Sequence, residues 1–216
     1  MAIRQDTRRD CGLAVGLGVV GERWTLLVIR ELLIGPARFT ALLENMPGIG
    51  PNLLSDRLRT LGAHGVVEQI AIPGEGRALR YQLTELGEQL RQPLLGLAKW
   101  GLGFLSEDDR GGTTRAEWGF LAVQSMVRRD AVPEVDDTYQ FRVDDQDFTI
   151  AVREGRVRFT RGAATEPDLT VACDAETFIR VGARMTSPAE VIASGAVRVS
   201  GDPGAALRCI RMLGLD

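Results

Sequence analysis

Residues 38–70 read Arg38-Phe-Thr-Ala-Leu-Leu-Glu-Asn-Met-Pro-Gly-Ile-Gly-Pro-Asn-Leu-Leu-Ser-Asp-Arg-Leu-Arg-Thr-Leu-Gly-Ala-His-Gly-Val-Val-Glu-Gln-Ile70, followed by a Pro73-Gly-Glu-Gly76 tip and the alternating run Leu79-Arg-Tyr-Gln-Leu83. Phe39, Leu42 and Leu43 repeat at helical spacing, predicting a short helix over 39–45. Met46-Pro-Gly-Ile-Gly50 is a tight turn, and Pro51 suits the first helical position, where its missing N–H would be unpaired anyway. In the helix predicted from Pro51 to about Leu61, Leu54, Leu58 and Leu61 form the inward stripe. The opposite face is Asn52, Ser55, Asp56 and Arg59, with Arg57 at the boundary. Val66–Ile72 and Leu79–Leu83 read as two strands joined by the polar tip, with Arg77 and Arg80 on the return side. Helix, turn, helix and β-ribbon in this order predict a winged helix-turn-helix, which lays one helix in the DNA major groove and a hairpin beside it. The bland alternative for the polar helix face is solvation alone; the turn before it and the ribbon after it favour DNA contact.

Working outward, residues 11–21 are apolar nearly all round and rich in Gly, a poor helix unless packing holds it, since an interior Gly costs up to about 1 kcal/mol relative to Ala. Trp24–Leu33 reads as a second helix, ended by Gly35-Pro36. Thr84 N-caps a further helix that could run to about Leu105, with Pro93 a kink or break. Both long apolar helices want a partner, which predicts a homodimer.

Within a chain of 216 residues the net charge of −3 is unevenly spread. Residues 1–105 carry 12 basic and 10 acidic side chains, and residues 106–216 carry 14 and 19. The acidity belongs to the second half, and the balanced first half leaves nucleic-acid binding to be argued from motif rather than bulk charge. No apolar run reaches the ~18 residues of a membrane span, and the charged N-terminus is unlike a signal peptide. A cytoplasmic location, with no membrane partner, is the expectation. The three cysteines, Cys11, Cys173 and Cys209, are too few and too scattered for a disulfide framework or a zinc site.

Cys11, Gly21-Glu-Arg-Trp-Thr-Leu-Leu, Arg38-Phe39, Pro47-Gly-Ile-Gly-Pro-Asn-Leu-Leu-Ser-Asp-Arg-Leu, Tyr81-Gln-Leu-Thr-Glu-Leu-Gly and Ala98-Lys-Trp-Gly together resemble the HxlR branch of the MarR-like winged-helix transcriptional regulators, over about residues 9–105. The resemblance implies a homodimer on an inverted-repeat operator in double-stranded DNA, with the 51–61 helix in the major groove and residues 66–83 as the wing. The candidate DNA contacts are Arg38, Thr40, Pro51, Asn52, Ser55, Arg57, Arg59, Arg77 and Arg80. It also implies that Cys11 is a redox candidate, since an N-terminal cysteine serves some members as a sensor of oxidants or electrophiles. Neighbouring cations such as Arg8 and Arg9 and a helix N-terminus are surroundings that favour a reactive thiolate, while the competing reading is a small packed hydrophobe. Operator binding that diamide or a quinone leaves unchanged would rule the sensor out.

Ser106–Thr114 is polar and Gly-rich, the best linker between domains expected at 1–105 and 115–216. Beyond it, Ala116–Val127 reads as a helix. Residues 138–143, 147–153, 156–160 and 168–173 then alternate at period two, with turns at Asp144-Asp145, Glu154-Gly155 and Glu166-Pro167, which suggests a four-stranded antiparallel meander. Helices at about 174–184 and 188–193, a fifth strand at 196–200 and a closing helix capped by Asp202-Pro203 complete the half. Asp168-Leu-Thr-Val, Ala175-Glu-Thr-Phe, Ser187-Pro-Ala-Glu and Gly195-Ala-Val-Arg-Val-Ser-Gly-Asp resemble the sterol carrier protein family. That likeness implies a five-stranded sheet with helices around an apolar tunnel for hydrophobic molecules. The fold class expected is therefore α+β in two domains. Trp118, Met126, Phe141, Phe159, Phe178 and Met185 are candidate ligand-lining residues, although most such side chains are simply core.

Catalysis finds no motif. His64 is the single histidine, and no nucleophile constellation, phosphate loop or metal-spaced ligand set occurs; neither catalytic residue nor cofactor is expected. A DNA-binding regulator with a small hydrophobic effector is the leading expectation. The alternatives are a carrier or scavenger of hydrophobic molecules whose winged helix serves assembly, and a thiol-based redox-sensing repressor acting through Cys11 with a purely structural second domain.

Overall fold

The computed structural model describes residues 11–72, 78–105 and 115–216. Arg8, Arg9, the wing tip with Arg77, and the linker expected at 106–114 lie outside the described residues. The chain divides into two compact units, Met1–Leu94 and Leu95–Asp216.

In the first unit, α1 (Gly12–Val20), α2 (Arg23–Ile34), α3 (Phe39–Asn45) and α4 (Pro51–Ala63) precede β1 (Val67–Ala71), β2 (Leu79–Leu83) and α5 (Glu85–Glu88). The core is built on α2, whose Val28, Ile29, Leu32 and Leu33 are buried, and on Leu42, Leu54, Leu58 and Leu61. These positions carry the i, i+3, i+4 repeat, so α2 presents one apolar stripe to α3 and α4. Strands β1 and β2 pair antiparallel, Val67 opposite Leu83 and Ala71 opposite Leu79. A third strand segment is hidden in the α2–α3 connection. Ala37 exchanges both backbone hydrogen bonds with Tyr81, at 3.0 and 2.8 Å. The sequence reading missed it, because one residue between Pro36 and a helix N-terminus shows no alternation.

α6 (Arg91–Leu102) crosses the division between the units, and the helix expected over 84–105 with a kink or break at Pro93 is broken a few residues before that proline. Thr84 caps α5 through its hydroxyl, which accepts from the Gly87 N–H. The chain then turns at Gln89–Leu90. Pro93 causes the break but sits beyond it, in the first turn of α6: its ring excludes the carbonyl four residues earlier, that of Gln89, and it has no N–H to offer there.

The second unit contains α7 (Ala116–Met126), a 3-10 turn at Arg129–Ala131, β3 (Asp137–Val143), β4 (Gln146–Arg153), β5 (Arg156–Arg161), β6 (Leu169–Cys173), α8 (Ala175–Gly182), α9 (Pro188–Ala193), β7 (Arg198–Gly201) and α10 (Pro203–Met212). The five strands lie in the order β5-β4-β3-β6-β7. The expected four-stranded meander is thus corrected. Only β3, β4 and β5 form one, and β6 crosses back to pair parallel with β3. Residues 162–168 make that crossing: the Ala164 N–H donates to Gln140 Oε1 at 2.6 Å and the Gly162 carbonyl accepts from the Thr149 hydroxyl at 3.0 Å. The β4–β5 turn takes positive φ at both Glu154 (51°) and Gly155 (69°), as a two-residue hairpin loop requires.

One face of this sheet is apolar. Tyr139, Phe141 and Val143 of β3 stand beside Phe148, Ile150 and Val152 of β4 and beside Leu169 and Val171 of β6, and α7, α8 and α10 pack on them. Phe141 stacks on Phe148 with centroids 5.2 Å apart, and Phe178 of α8 stands edge-on to both. Burying each phenyl contributes about 1.5–3 kcal/mol. Asp137 is buried at the start of β3 on the same face. Its two oxygens accept Arg208 Nε at 2.6 Å and Nη2 at 2.7 Å, and Oδ2 also accepts the Tyr139 hydroxyl at 2.6 Å. That cluster ties α10 to the central strand. The α+β class, with a winged helix followed by a five-stranded sheet and helices, is the one expected.

Candidate functional site

Helix α4 begins at Pro51, with Leu54, Leu58 and Leu61 turned inward. Its other face leaves Pro51, Asn52, Ser55 and Arg59 exposed and Arg57 half-buried. Arg38, at the N-cap of α3, and Thr40 are also exposed. A shallow recess between α4 and the ribbon is lined by Ser55, Arg59, Gln69 and Tyr81. Gln69 donates to the Tyr81 hydroxyl across the strands at 2.8 Å. The sequence reading missed this pair, although period-two alternation puts both on the ribbon face shared with Val67 and Leu83. Arg80 pairs in register with Ile70 and projects from the opposite face. The structure therefore gathers Asn52, Ser55 and Arg59 on one helix face, sets Arg80 apart from them, and leaves Arg77 outside the described residues.

Arg59 is engaged within its own helix. Its guanidinium donates to Asp56 Oδ1, and Asp56 also lies 3.8 Å from Arg57. Exposed pairs of this kind are worth about 0.2–1 kcal/mol, which a phosphate contact must replace. Asp56→Ala is expected to tighten binding to random-sequence duplex by up to about five-fold. Unchanged or weaker binding in an anisotropy titration would show that Arg59 is not held back by Asp56.

The apolar face of the second unit encloses a cavity of about 100 Å³ between α8, α9, α10, β6 and β7. Among the candidates from sequence, Met126, Phe141 and Phe178 line it. Trp118, Phe159 and Met185 do not: Phe159 lies out on the edge strand β5, and Met185 borders a neighbouring polar recess with Arg184 and Glu190. Most of the wall is aliphatic, from Leu169, Val171, Val181, Val191, Val197 and Leu213. Cys173 and Cys209 also face in. Burial pushes both thiols up to about 12, the nearby carboxylates adding to the shift, so both stay protonated at neutral pH and act as apolar wall. Ile192 and Val199 line the cavity and are 44% and 39% exposed, which places its mouth between α9 and β7. Cys11, by contrast, is exposed at the N-cap of α1. No group of three His, Cys, Asp or Glu side chains among the described residues could hold a metal ion, and no single helix there is long and apolar enough to cross a membrane.

A polar helix face backed by a leucine stripe, started at a proline and flanked by an antiparallel ribbon, defines a winged helix-turn-helix protein. The HxlR-like helix-turn-helix family matches residues 19–109, and the SCP-2 sterol transfer family matches residues 120–214. The uncharacterized HTH-type transcriptional regulator Rv3095 of Mycobacterium tuberculosis is 38% identical over 107 residues, 49% of this chain and 67% of that protein. The HTH-type transcriptional regulator YodB of Bacillus subtilis is 32% identical over 91 residues, 42% of this chain and 81% of YodB. Among solved structures, a double mutant of the sec-alkyl sulfatase PisA1 aligns over 51% of this chain at 20% identity with a TM-score of 0.40, and the alignment spans 17% of that chain. The chain belongs to the HxlR-like helix-turn-helix family. It is a DNA-binding transcription regulator whose second half is a sterol-carrier-like domain.

Proposed function

We propose that this regulator binds an inverted-repeat operator as a homodimer, reading bases with Asn52, Ser55, Arg57 and Arg59 of α4, and acts as a repressor relieved by a small apolar effector. The observation that carries the reading is the exposed polar face of α4, whose side chains can bond base edges and phosphates. Dimerisation is supported by apolar surface without cover in the single chain: no residue of α1 is buried, and Leu13 of α1 and Trp100 of α6 are 73% and 66% exposed. A two-fold pair sets its reading helices about one DNA turn apart. Selection of bound duplexes from a random library by the full chain tests this. The expected product is a palindrome with half-sites about 10 base pairs apart, bound more weakly by Arg59→Ala. A single unpaired half-site would exclude the dimeric reading.

The cavity supports the effector. At about 100 Å³ it is of the order of a dry engineered cavity that takes up benzene, ~150 Å³, and too small for a whole sterol. To regulate, the ligand must prefer one of two dimer states, since equal affinity shifts nothing. Val199→Phe at the mouth is expected to leave the fold intact and weaken uptake of benzene by at least about ten-fold, read from amide shifts at Val171 and Cys173; each methylene-sized block of packed space is worth roughly 1 kcal/mol. Equal uptake by variant and wild type would count against a ligand site here.

A further inference from the structure

The face of the sheet opposite the cavity is charged in a way the domain around it is not. Register places Thr138, Gln140 and Arg142 of β3, Asp147, Thr149, Ala151 and Arg153 of β4, Arg156, Arg158 and Thr160 of β5, Thr170 and Ala172 of β6, and Arg198 and Ser200 of β7 on it. That is five arginines against one aspartate, in a half of the chain that carries 14 basic and 19 acidic side chains. Asp147 is taken by Arg142 at 3.2 Å. Arg153 and Arg156 stand directly opposite each other across the strands, with Arg158 the next position along on the same face. Like charges so placed destabilise a sheet.

Arg156 and Arg158 have no carboxylate partner among the described residues, and Arg153 feels only the carboxylate of Asp137, which Arg208 already holds. The Arg153 guanidinium donates to the carbonyls of Asp137 and Val152 and to the Thr138 hydroxyl, all uncharged acceptors. Arg156 and Arg158 are exposed, and neither has an ion pair among the described residues. Charge on an edge strand guards against edge-to-edge pairing whatever its sign, yet every charge on β5 is positive. A single-signed cluster that costs stability fits a polyanion. Alternate residues of a strand lie about 6.8 Å apart, two charge steps along one DNA strand at about 3.4 Å each. The outward positions offer no aromatic or large aliphatic side chain to sink into a lipid surface. The helix-turn-helix in the same chain also holds duplex at high effective concentration.

We propose that Arg153, Arg156 and Arg158 form a second duplex contact, to the phosphate backbone, carried by the sterol-carrier-like half; this rests on the operator-binding reading. It makes the second half part of the grip on DNA as well as the seat of the cavity. The test is the salt dependence of binding of the full chain to a labelled random-sequence duplex, comparing wild type with Arg156→Gln/Arg158→Gln. Losing two phosphate contacts is expected to make the slope of log K on log salt shallower by about 1.8, so that the advantage of wild type at about 50 mM salt shrinks roughly ten-fold by about 200 mM. Arg156→Lys/Arg158→Lys is expected to keep the wild-type slope, and thermal unfolding of each variant reports its fold. An unchanged slope and affinity in the Gln variant, with Arg59→Ala still weakening binding, overturns this proposal and leaves the operator reading standing. No duplex binding by the wild type overturns both. A loss of binding to phosphatidylserine vesicles with duplex binding unchanged overturns it in favour of a membrane surface.

Discussion

Asp137→Ala is expected to destabilise the second unit by about 2–3 kcal/mol, the upper part of the range for leaving a buried donor without its acceptor. Asp137 is 2% exposed, and its carboxylate is the shared acceptor of Arg208 and the Tyr139 hydroxyl, so its loss leaves the buried Tyr139 donor unpaired, while Arg208, 31% exposed, keeps Asp202 at 3.4 Å. Amide exchange across β3 and β6 would read the effect, and a loss below about 1 kcal/mol would show that the cluster is not what holds α10. The pH dependence has a definite sign. The Arg208 hydrogen bonds, with that of Tyr139, hold the Asp137 carboxyl below its ordinary value against the opposing effect of burial. Its contribution is therefore complete above the unfolded pKa of about 3.9 and is lost as pH falls through the lower folded value. Arg208→Leu should weaken this dependence: Asp137 keeps the Tyr139 hydroxyl and the field of Arg153 but loses the partner that lowers it most, so burial brings its carboxyl back up and the loss of stability on the acid side becomes smaller. Replacing both partners by apolar residues should restore much of the loss at neutral pH.

Gly87→Ala is expected to be as damaging in the first unit, at about 2–3 kcal/mol, although alanine is the better helix former. A Cβ at this position would run into the Val66 carbonyl oxygen and come within 3.0 and 3.1 Å of Leu83 Cδ2 and Cβ. Val66 O also accepts the Thr84 N–H, so it cannot simply swing away. The strain falls where α4 hands over to β1, and the wing moves relative to the reading helix. We expect operator affinity to fall at least ten-fold at a temperature where the variant is still folded, measured beside its thermal unfolding. A variant with wild-type melting and wild-type affinity would mean that the backbone relaxes at no cost.

The same glycine shows what could be seen in advance. It appears in the Tyr81-Gln-Leu-Thr-Glu-Leu-Gly string that carries the family likeness, but its reason, a backbone approach from Val66, is a contact across 21 residues that no local pattern displays. Helix starts were legible because Pro51, Thr84 and Asp202-Pro203 carry their own chemistry. Strand positions were legible from alternation. Strand order was not: Glu166-Pro167 reads as a turn whether the chain reverses beside β5 or crosses two strands to reach β3. The cavity wall was half visible for a similar reason. Aromatic and Met side chains stand out in a sequence, whereas the valines of β6, α8 and α9 look like ordinary core until helices leave a gap over them. On α4 the exposed face followed from the leucine stripe, but the Arg59–Asp56 pairing that restrains it did not.

The parallel pairing of β3 with β6 has a consequence for how the chain is made. The central strand finds its second neighbour some 30 residues downstream, and its buried Asp137 finds Arg208 after 71. Contacts of such long sequence separation slow folding, and on the ribosome they cannot form until residue 208 has emerged. The first unit, complete by about residue 94, can settle while the rest is still being translated. A nascent chain thus has its helix-turn-helix folded before its apolar cavity has walls.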